Sequence, residues 1–177
     1  MPEVDTGAPV VDLTAGAGAV WAVTSSAGLL RIDPGTARLT APNPGPVSAI
    51  AAGADGVWAV CCVGRGPRGR VTRLDPASGR VLATVGLPTR PLAVGAGPGA
   101  VWIRGAEGWL WRVDPAHGRQ AGAIRLPIVP DGAELAGELV VDGEAVWVSD
   151  PGVASCGGST CDAEPRTAGR PMGATSR

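Results

Sequence analysis

Lysine, phenylalanine and tyrosine are missing from this chain of 177 residues, and histidine occurs once. All fifteen basic side chains are therefore arginine, the pattern of a GC-rich coding bias. They nearly balance the sixteen acids, leaving a net charge of −1, so bulk electrostatics draws the chain neither to nucleic acid nor to an anionic membrane surface. A basic leader is lacking as well: MPEVDTGAPVV carries two acids where a signal peptide has basic residues and then an apolar run. No long hydrophobic run is present either. The most apolar window, 47–64, is interrupted by Gly53, Asp55 and Gly56 and reads as two strands and a turn rather than a membrane helix. The expectation is a cytoplasmic chain by default, or an extracytoplasmic one if it is cut from an exported protein.

What the chain has in abundance is turn chemistry. Its 28 glycines and 17 prolines make up about a quarter of it, and they recur at matching places. The stretch 91–126 shows the pattern most fully, with strands expected at 92–94, 100–104, 109–114 and 120–126, each bounded by Gly or Pro. The same order appears earlier as VVDLTAG, AVWAVTS, LLRIDPG, ARLTA and as VSAIAAG, GVWAVCC, RVTRLDP, RVLATV. A fourth unit begins with GELVVDG and AVWVSD and then stops. Trp21, Trp58, Trp102 and Trp147 each follow a valine, at spacings of 37, 44 and 45 residues. Four short strands per period of that length predict an all-β propeller of four-stranded antiparallel blades. The expected blades span about 10–42, 46–87 and 91–126, with a half blade at 136–150, so about three and a half blades and an incomplete ring. Residues 1–9 are expected to be a flexible N-terminus. Residues 151–177 hold only Val153 and Met172 as large apolar side chains and are expected to be disordered.

A second mark runs in register with the first. The third strand ends in Arg-apolar-Asp-Pro at Arg31–Pro34, Arg73–Pro76 and Arg112–Pro115, each followed by a Gly and an Arg. Aspartate opens such a turn by accepting from nearby backbone N–H groups, proline presets φ, and glycine takes positive φ. These residues resemble the bacterial β-propeller repeats of virginiamycin B lyase-like, quinoprotein-like and YVTN-type proteins, whose blades read G-x-x-x-V-W-V and then R-I-D-P-x-T-G-R-V. The resemblance covers roughly residues 10–150. It implies the fold. It implies little about function, since the repeat serves enzymes, sensors and scaffolds alike. Propellers close with typically four to eight blades, so the chain reads as a truncated or incompletely encoded one whose open edges favour self-association.

The candidate chemistry is sparse. The four repeated tryptophans read as packing groups, whereas Trp109 and Trp111, on one face of the third unit's third strand, are particular to that unit. Gly95-Ala96-Gly97-Pro98-Gly99 looks like half a phosphate loop, but a strand follows it and no helix, which removes the nucleotide reading. His117 sits in a turn where the other units have Thr36 or Ala37 and Ser78. Lyases of the resemblance use a histidine in a central metal-dependent site, and His117 matches no such position. Cys61 and Cys62 are adjacent on a strand and point to opposite faces. Cys156 and Cys161 lie in the tail, and with one distant histidine the set does not have zinc-site spacing. No cofactor and no metal is expected.

Loop lengths carry more. The strand-two-to-three and blade-to-blade connections share one face, and both irregular loops, 61–69 (CCVGRGPRG) and 127–138 (PIVPDGAELAGE), fall there. Arg65, Arg68, Arg70, Arg90 and Arg104, with Trp109, form the candidate ligand or partner face. The function expected is a non-catalytic binding or scaffold segment of a larger propeller, its partner a protein or small molecule. The alternative is a remnant of a lyase-like or quinoprotein-like propeller enzyme without a complete active site.

Overall fold

The computed structural model describes residues 3–26, 28–62, 68–126, 139–142 and 145–149. The tail at 151–177 and the 127–138 loop, for both of which the sequence carries expectations, lie outside the described residues. Fourteen strands occur among the described residues, together with one 3₁₀ turn, Ala106–Gly108. No helix among them is long and apolar enough to cross a membrane.

The first sheet contains β1 (Val10–Gly16), β2 (Ala19–Thr24), β3 (Gly28–Ile32) and β4 (Leu39–Thr40). The second contains β5 (Ala49–Gly53), β6 (Gly56–Cys62), β7 (Gly69–Leu74) and β8 (Val81–Leu87). The third contains β9 (Pro91–Gly97), β10 (Ala100–Gly105), β11 (Trp109–Asp114) and β12 (Arg119–Arg125). A hairpin of β13 (Leu139–Asp142) and β14 (Ala145–Val148) follows. Each sheet is an antiparallel meander in chain order, and the ring they build is unclosed.

Local chemistry sets most of the boundaries. β4 pairs over only two residues because Pro42, Pro44 and Pro46 follow it, and proline has no N–H to extend a ladder. The same strand in the second sheet meets no proline until Pro88 and runs for seven residues. β9 is longer than the expected 92–94 because Pro91 enters as its first residue, a position where the missing N–H costs little.

The sheets stack through two apolar layers. Trp21, Val23 and Leu29 of the first sheet join Ile50, Val57, Ala59 and Leu74 of the second. Trp58, Val60, Val71 and Leu87 of the second join Val94, Val101, Ile103, Trp111 and Val113 of the third. The repeated tryptophan of one sheet thus shares a layer with the Val of the next sheet's Val-Trp pair. Trp21 and Trp58 are 0% and 1% exposed. Their indole N–H groups are buried with no acceptor among the described residues, a cost of about 1–3 kcal/mol each. Burying a ring of about 200 Å² returns about 5 kcal/mol, so the packing wins.

The first strands of successive sheets run side by side at the centre. Asp12 Oδ2 accepts from Ile50 N at 2.7 Å and Thr14 Oγ1 from Ala52 N at 3.3 Å, so β1 side chains satisfy the inner edge of β5. The approach is close: a Cβ on Gly16 would stand 2.9 Å from the Ala52 Cβ, and one on Gly53 2.9 Å from the Ala96 Cβ. Small residues there let the inner strands meet.

Candidate functional site

Two faces of this arc carry different chemistry, and the regular one accounts for most of the polar side chains. In β3, β7 and β11 the arginine of Arg-apolar-Asp-Pro lies directly across the ladder from the repeated tryptophan: Trp21 pairs with Arg31, Trp58 with Arg73 and Trp102 with Arg112. Each guanidinium stacks on its indole, at 5.9, 5.7 and 5.9 Å from the ring centroid. Arg31 Nε then donates to the carbonyl of Pro76 at 3.0 Å, and an Arg73 terminal nitrogen to the carbonyl of Pro115 at 3.0 Å. The arginine of each of the first two sheets therefore clamps the Asp-Pro turn of the next. Arg73 also donates twice to the carbonyl of Asp55, at 3.2 and 2.7 Å.

The Asp-Pro turns are built alike. Asp33 Oδ1 accepts from Gly35 N, Thr36 N and Thr36 Oγ1 at 3.0, 2.8 and 2.9 Å. Asp75 Oδ1 accepts from Ser78 N and Oγ, both at 2.7 Å. Asp114 Oδ1 accepts from Ala116 N and His117 N, and its Oδ2 lies 2.7 Å from His117 Nδ1. These bonds, above all those from Thr36, Ser78 and His117, hold all three carboxyls below the usual aspartate value. His117 thus has a carboxylate partner that the bare sequence did not place. It is the counterpart of Thr36 and Ser78, a turn-closing group. The signal was the shared offset of three residues from the aspartate.

The irregular face carries the sequence-selected residues. Arg65 lies outside the described residues. Arg68 is exposed just before β7, and Arg90 is exposed in the connection from β8 to β9. Arg70 is half-buried and donates to the carbonyls of Pro44 and Pro46 at 3.2 and 3.4 Å, clasping the connection between the first two sheets. Arg104 is 5% exposed and belongs to the interior of the third sheet's end rather than its surface. Arg90 and Arg104 come near each other through the backbone, since Ala106 N donates to the Arg90 carbonyl at 2.8 Å. Arg70 and Arg90 both lie close enough to lower the Cys61 thiol, but burial and then the adjacent Cys62 push it up on balance.

Trp109 is half-buried and stacks on Trp111 with centroids 5.1 Å apart and planes 23° apart. Arg125, its cross-strand partner on β12, lies over it at 5.1 Å. Trp111 Nε1 donates to Thr89 Oγ1 at 3.0 Å, which ties the pair to the β8–β9 connection beside Arg90. The β10–β11 turn that presents Trp109 holds Glu107 at φ 61°, a left-handed conformation unusual for a side chain other than glycine. Of the six residues selected from sequence, Arg68, Arg90 and Trp109 are at least partly open to solvent on this face, whereas Arg70 and Arg104 are built into the structure.

The central groove, about 350 Å³, is lined by β1, β5, β9 and β13. Its charged lining group is Asp12, which already accepts from Leu13 N and Ile50 N. Among the described residues no cluster of three or more His, Cys, Asp or Glu side chains has an arrangement that could hold a metal ion.

No family model matches the chain, and no curated protein matches it. Solved structures do. AztD of Citrobacter koseri superposes with a TM-score of 0.55 at 19% identity, over 81% of this chain and 42% of AztD. BamB of Moraxella catarrhalis gives 0.60 at 16% identity, over 81% and 44%. The computationally designed Ika4 protein gives 0.60 at 14% identity, over 83% and 88%. The chain thus spans about two fifths of AztD and of BamB. These neighbours are propeller-type proteins, and at such identities the likeness bears on fold alone. Together with the stacked meanders it makes this chain a partial β-propeller of four-stranded antiparallel blades in an unclosed ring.

Proposed function

We propose that the chain is a non-catalytic propeller segment that binds an anionic partner, a protein segment or a small carboxylate, on its irregular loop face. The observation that carries this reading is the exposure of Arg68 and Arg90 on the irregular loop face, over a scaffold whose other polar side chains serve the fold. Asp12, Asp33, Asp55, Asp75 and Asp114 accept from backbone or turn groups, and Arg31, Arg70 and Arg73 donate to backbone carbonyls. Groups so engaged hold blades together. Arg68 and Arg90 are both exposed on the loop face, in the connections next to the half-buried Trp109. Binding residues concentrate on such irregular loops over a regular scaffold, and arginine favours carboxylates through its planar donor fork. The repeat marks fit the bacterial YVTN-like group, in which scaffolds and sensors are as much at home as enzymes.

The test is titration of a labelled Asp/Glu-rich peptide into the full chain, followed by fluorescence anisotropy at low and at physiological salt. Saturable, salt-sensitive binding that falls at least about fivefold in the Arg68→Ala/Arg90→Ala double variant is the expected result, equivalent to about 1 kcal/mol. Binding that ignores both substitutions, or no binding at low salt, contradicts the proposal.

A further inference from the structure

One stacked arginine stands outside the repeating clamps, at the irregular face. Trp109 begins β11 and lies across the ladder from Arg125 of β12, and Trp111 follows two residues on. The three side chains therefore share one side of the third sheet. They are graded in burial: Trp111 is buried, Trp109 half-buried and Arg125 exposed. The innermost ring is fixed by its indole N–H bond to Thr89 Oγ1 at 3.0 Å, and Trp109 stacks on it with centroids 5.1 Å apart. The Arg125 guanidinium in turn lies 5.1 Å from the Trp109 centroid, nearer than the 5.9, 5.7 and 5.9 Å of the three clamp arginines. Arg31 and Arg73 turn their donors onto proline carbonyls of the following sheet. Arg125 instead carries its charge at the outer end of a column rooted in the core.

The backbone sets this column beside the residues already assigned to the loop face. Ala106 N donates to the Arg90 carbonyl and Leu126 N to the Gly108 carbonyl, each at 2.8 Å. The turn Ala106–Gly108 is thus tied on one side to Arg90 and on the other to the residue after Arg125, with the exposed Glu107 at its middle. We infer that Arg125 is the fixed carboxylate-binding group of this face. The inference rests on the anionic partner proposed above and adds the residue that orients its acid. A guanidinium laid on an indole keeps its planar N–H fork at its edge, open to a carboxylate, and has given up rotamer freedom beforehand. An arginine without such a stack is ordered only as the partner binds, at a cost in affinity. Arg125 therefore sets the position of the carboxylate, while Arg68 and Arg90 add charge around it. Glu107 repels any acid that approaches and so limits affinity.

The experiment titrates two probes into the full chain, N-acetylglutamate and the labelled Asp/Glu-rich peptide. It follows the Trp109 indole N–H signal in ¹H–¹⁵N spectra, assigned through Trp109→Phe. Both probes are expected to move that signal saturably. Arg125→Ala weakens binding about five- to tenfold, and Arg125→Lys, which lacks the planar fork, does not restore it. Trp109→Leu leaves Arg125 in place without its ring and weakens binding about threefold, whereas Glu107→Gln tightens it about twofold. Circular dichroism is unchanged in all four. Saturation by the peptide at a concentration about tenfold or more below that of the acid assigns the site to a protein segment, and similar concentrations assign it to a small carboxylate. A peptide that binds through Arg68 and Arg90, while the Trp109 signal stays still and Arg125→Ala has no effect, overturns the assignment of Arg125 and leaves the anionic partner standing. A Trp109 shift that needs Arg125 but neither Arg68 nor Arg90 does the reverse. Absence of saturable binding by either probe overturns both.

Discussion

Ala37 occupies a backbone position that glycine holds in the other two turns. Its φ is 57°, against 71° for Gly79 and 58° for Gly118. Each of the three donates its N–H to the carbonyl of the turn's aspartate, at 2.8, 2.7 and 2.9 Å, so the turns are the same turn. A left-handed alanine costs about 1–2 kcal/mol, and glycine returns part of that through a freer unfolded chain. Ala37→Gly is therefore expected to stabilise the protein by about 0.5–1 kcal/mol, read as a rise in the urea midpoint. The aspartates of these turns give a pH dependence of definite sign. Their carboxyls lie below the ordinary value of 3.8 when folded, so the folded state binds fewer protons than the unfolded one. Their stabilisation is complete above the ordinary value and is lost as pH falls through the folded one. Denaturation midpoints should drop below about pH 4, and Asp75→Asn should reduce the drop by removing one titrating turn.

At the scale of the strand and its partners, tryptophan and arginine act as one unit. The sequence shows Val-Trp and Arg-apolar-Asp-Pro as separate marks in register. That they meet across the ladder follows from hairpin lengths that keep Trp21 opposite Arg31 and Trp58 opposite Arg73, despite turns of different size between them. Trp58→Ala is expected to cost about 3–5 kcal/mol and Trp147→Ala less than about 1, because the first ring is sealed between sheets and the second is not. Chemical denaturation of both variants checks this, and equal costs would mean that the hairpin is covered as the blades are. The inner strands make a parallel case. Gly53→Ala places a methyl 2.9 Å from the Ala96 Cβ and is expected to destabilise by about 1–3 kcal/mol on the same measurement, while Gly86→Ala, with open space at its position, does not.

Much of the blade architecture was legible because turn residues and alternating apolar runs are local signals. Gly-bounded strands, Asp-Pro turns and a repeated Val-Trp each declare themselves within a few residues. What was not legible depends on packing between units. Arg70 and Arg104 read as surface charges in a basic loop cluster, yet one reaches back to the carbonyls of Pro44 and Pro46 and the other is buried. Nothing in the neighbouring sequence marks either fate, since Pro44 and Pro46 lie more than twenty residues away in the connection before β5 and the burial of Arg104 is set by packing. His117 was the converse case. Its partner, Asp114, is three residues away, and aligning the three turns by their aspartates reveals it.

For the whole molecule, an arc of stacked sheets that share one interface rule should grade its tryptophans by position. Trp21 and Trp58 lie between sheets, Trp102 is half-covered beside the last hairpin, and Trp147 on β14 is 44% exposed. The direct measurement is deuterium exchange of the indole N–H signals in ¹H–¹⁵N spectra of the full chain, assigned by single Trp→Phe variants. The order of protection is expected to be Trp21 and Trp58 slowest, Trp102 intermediate, and Trp147 exchanging nearly as a free indole. A Trp147 signal as protected as that of Trp58 would contradict this graded arc.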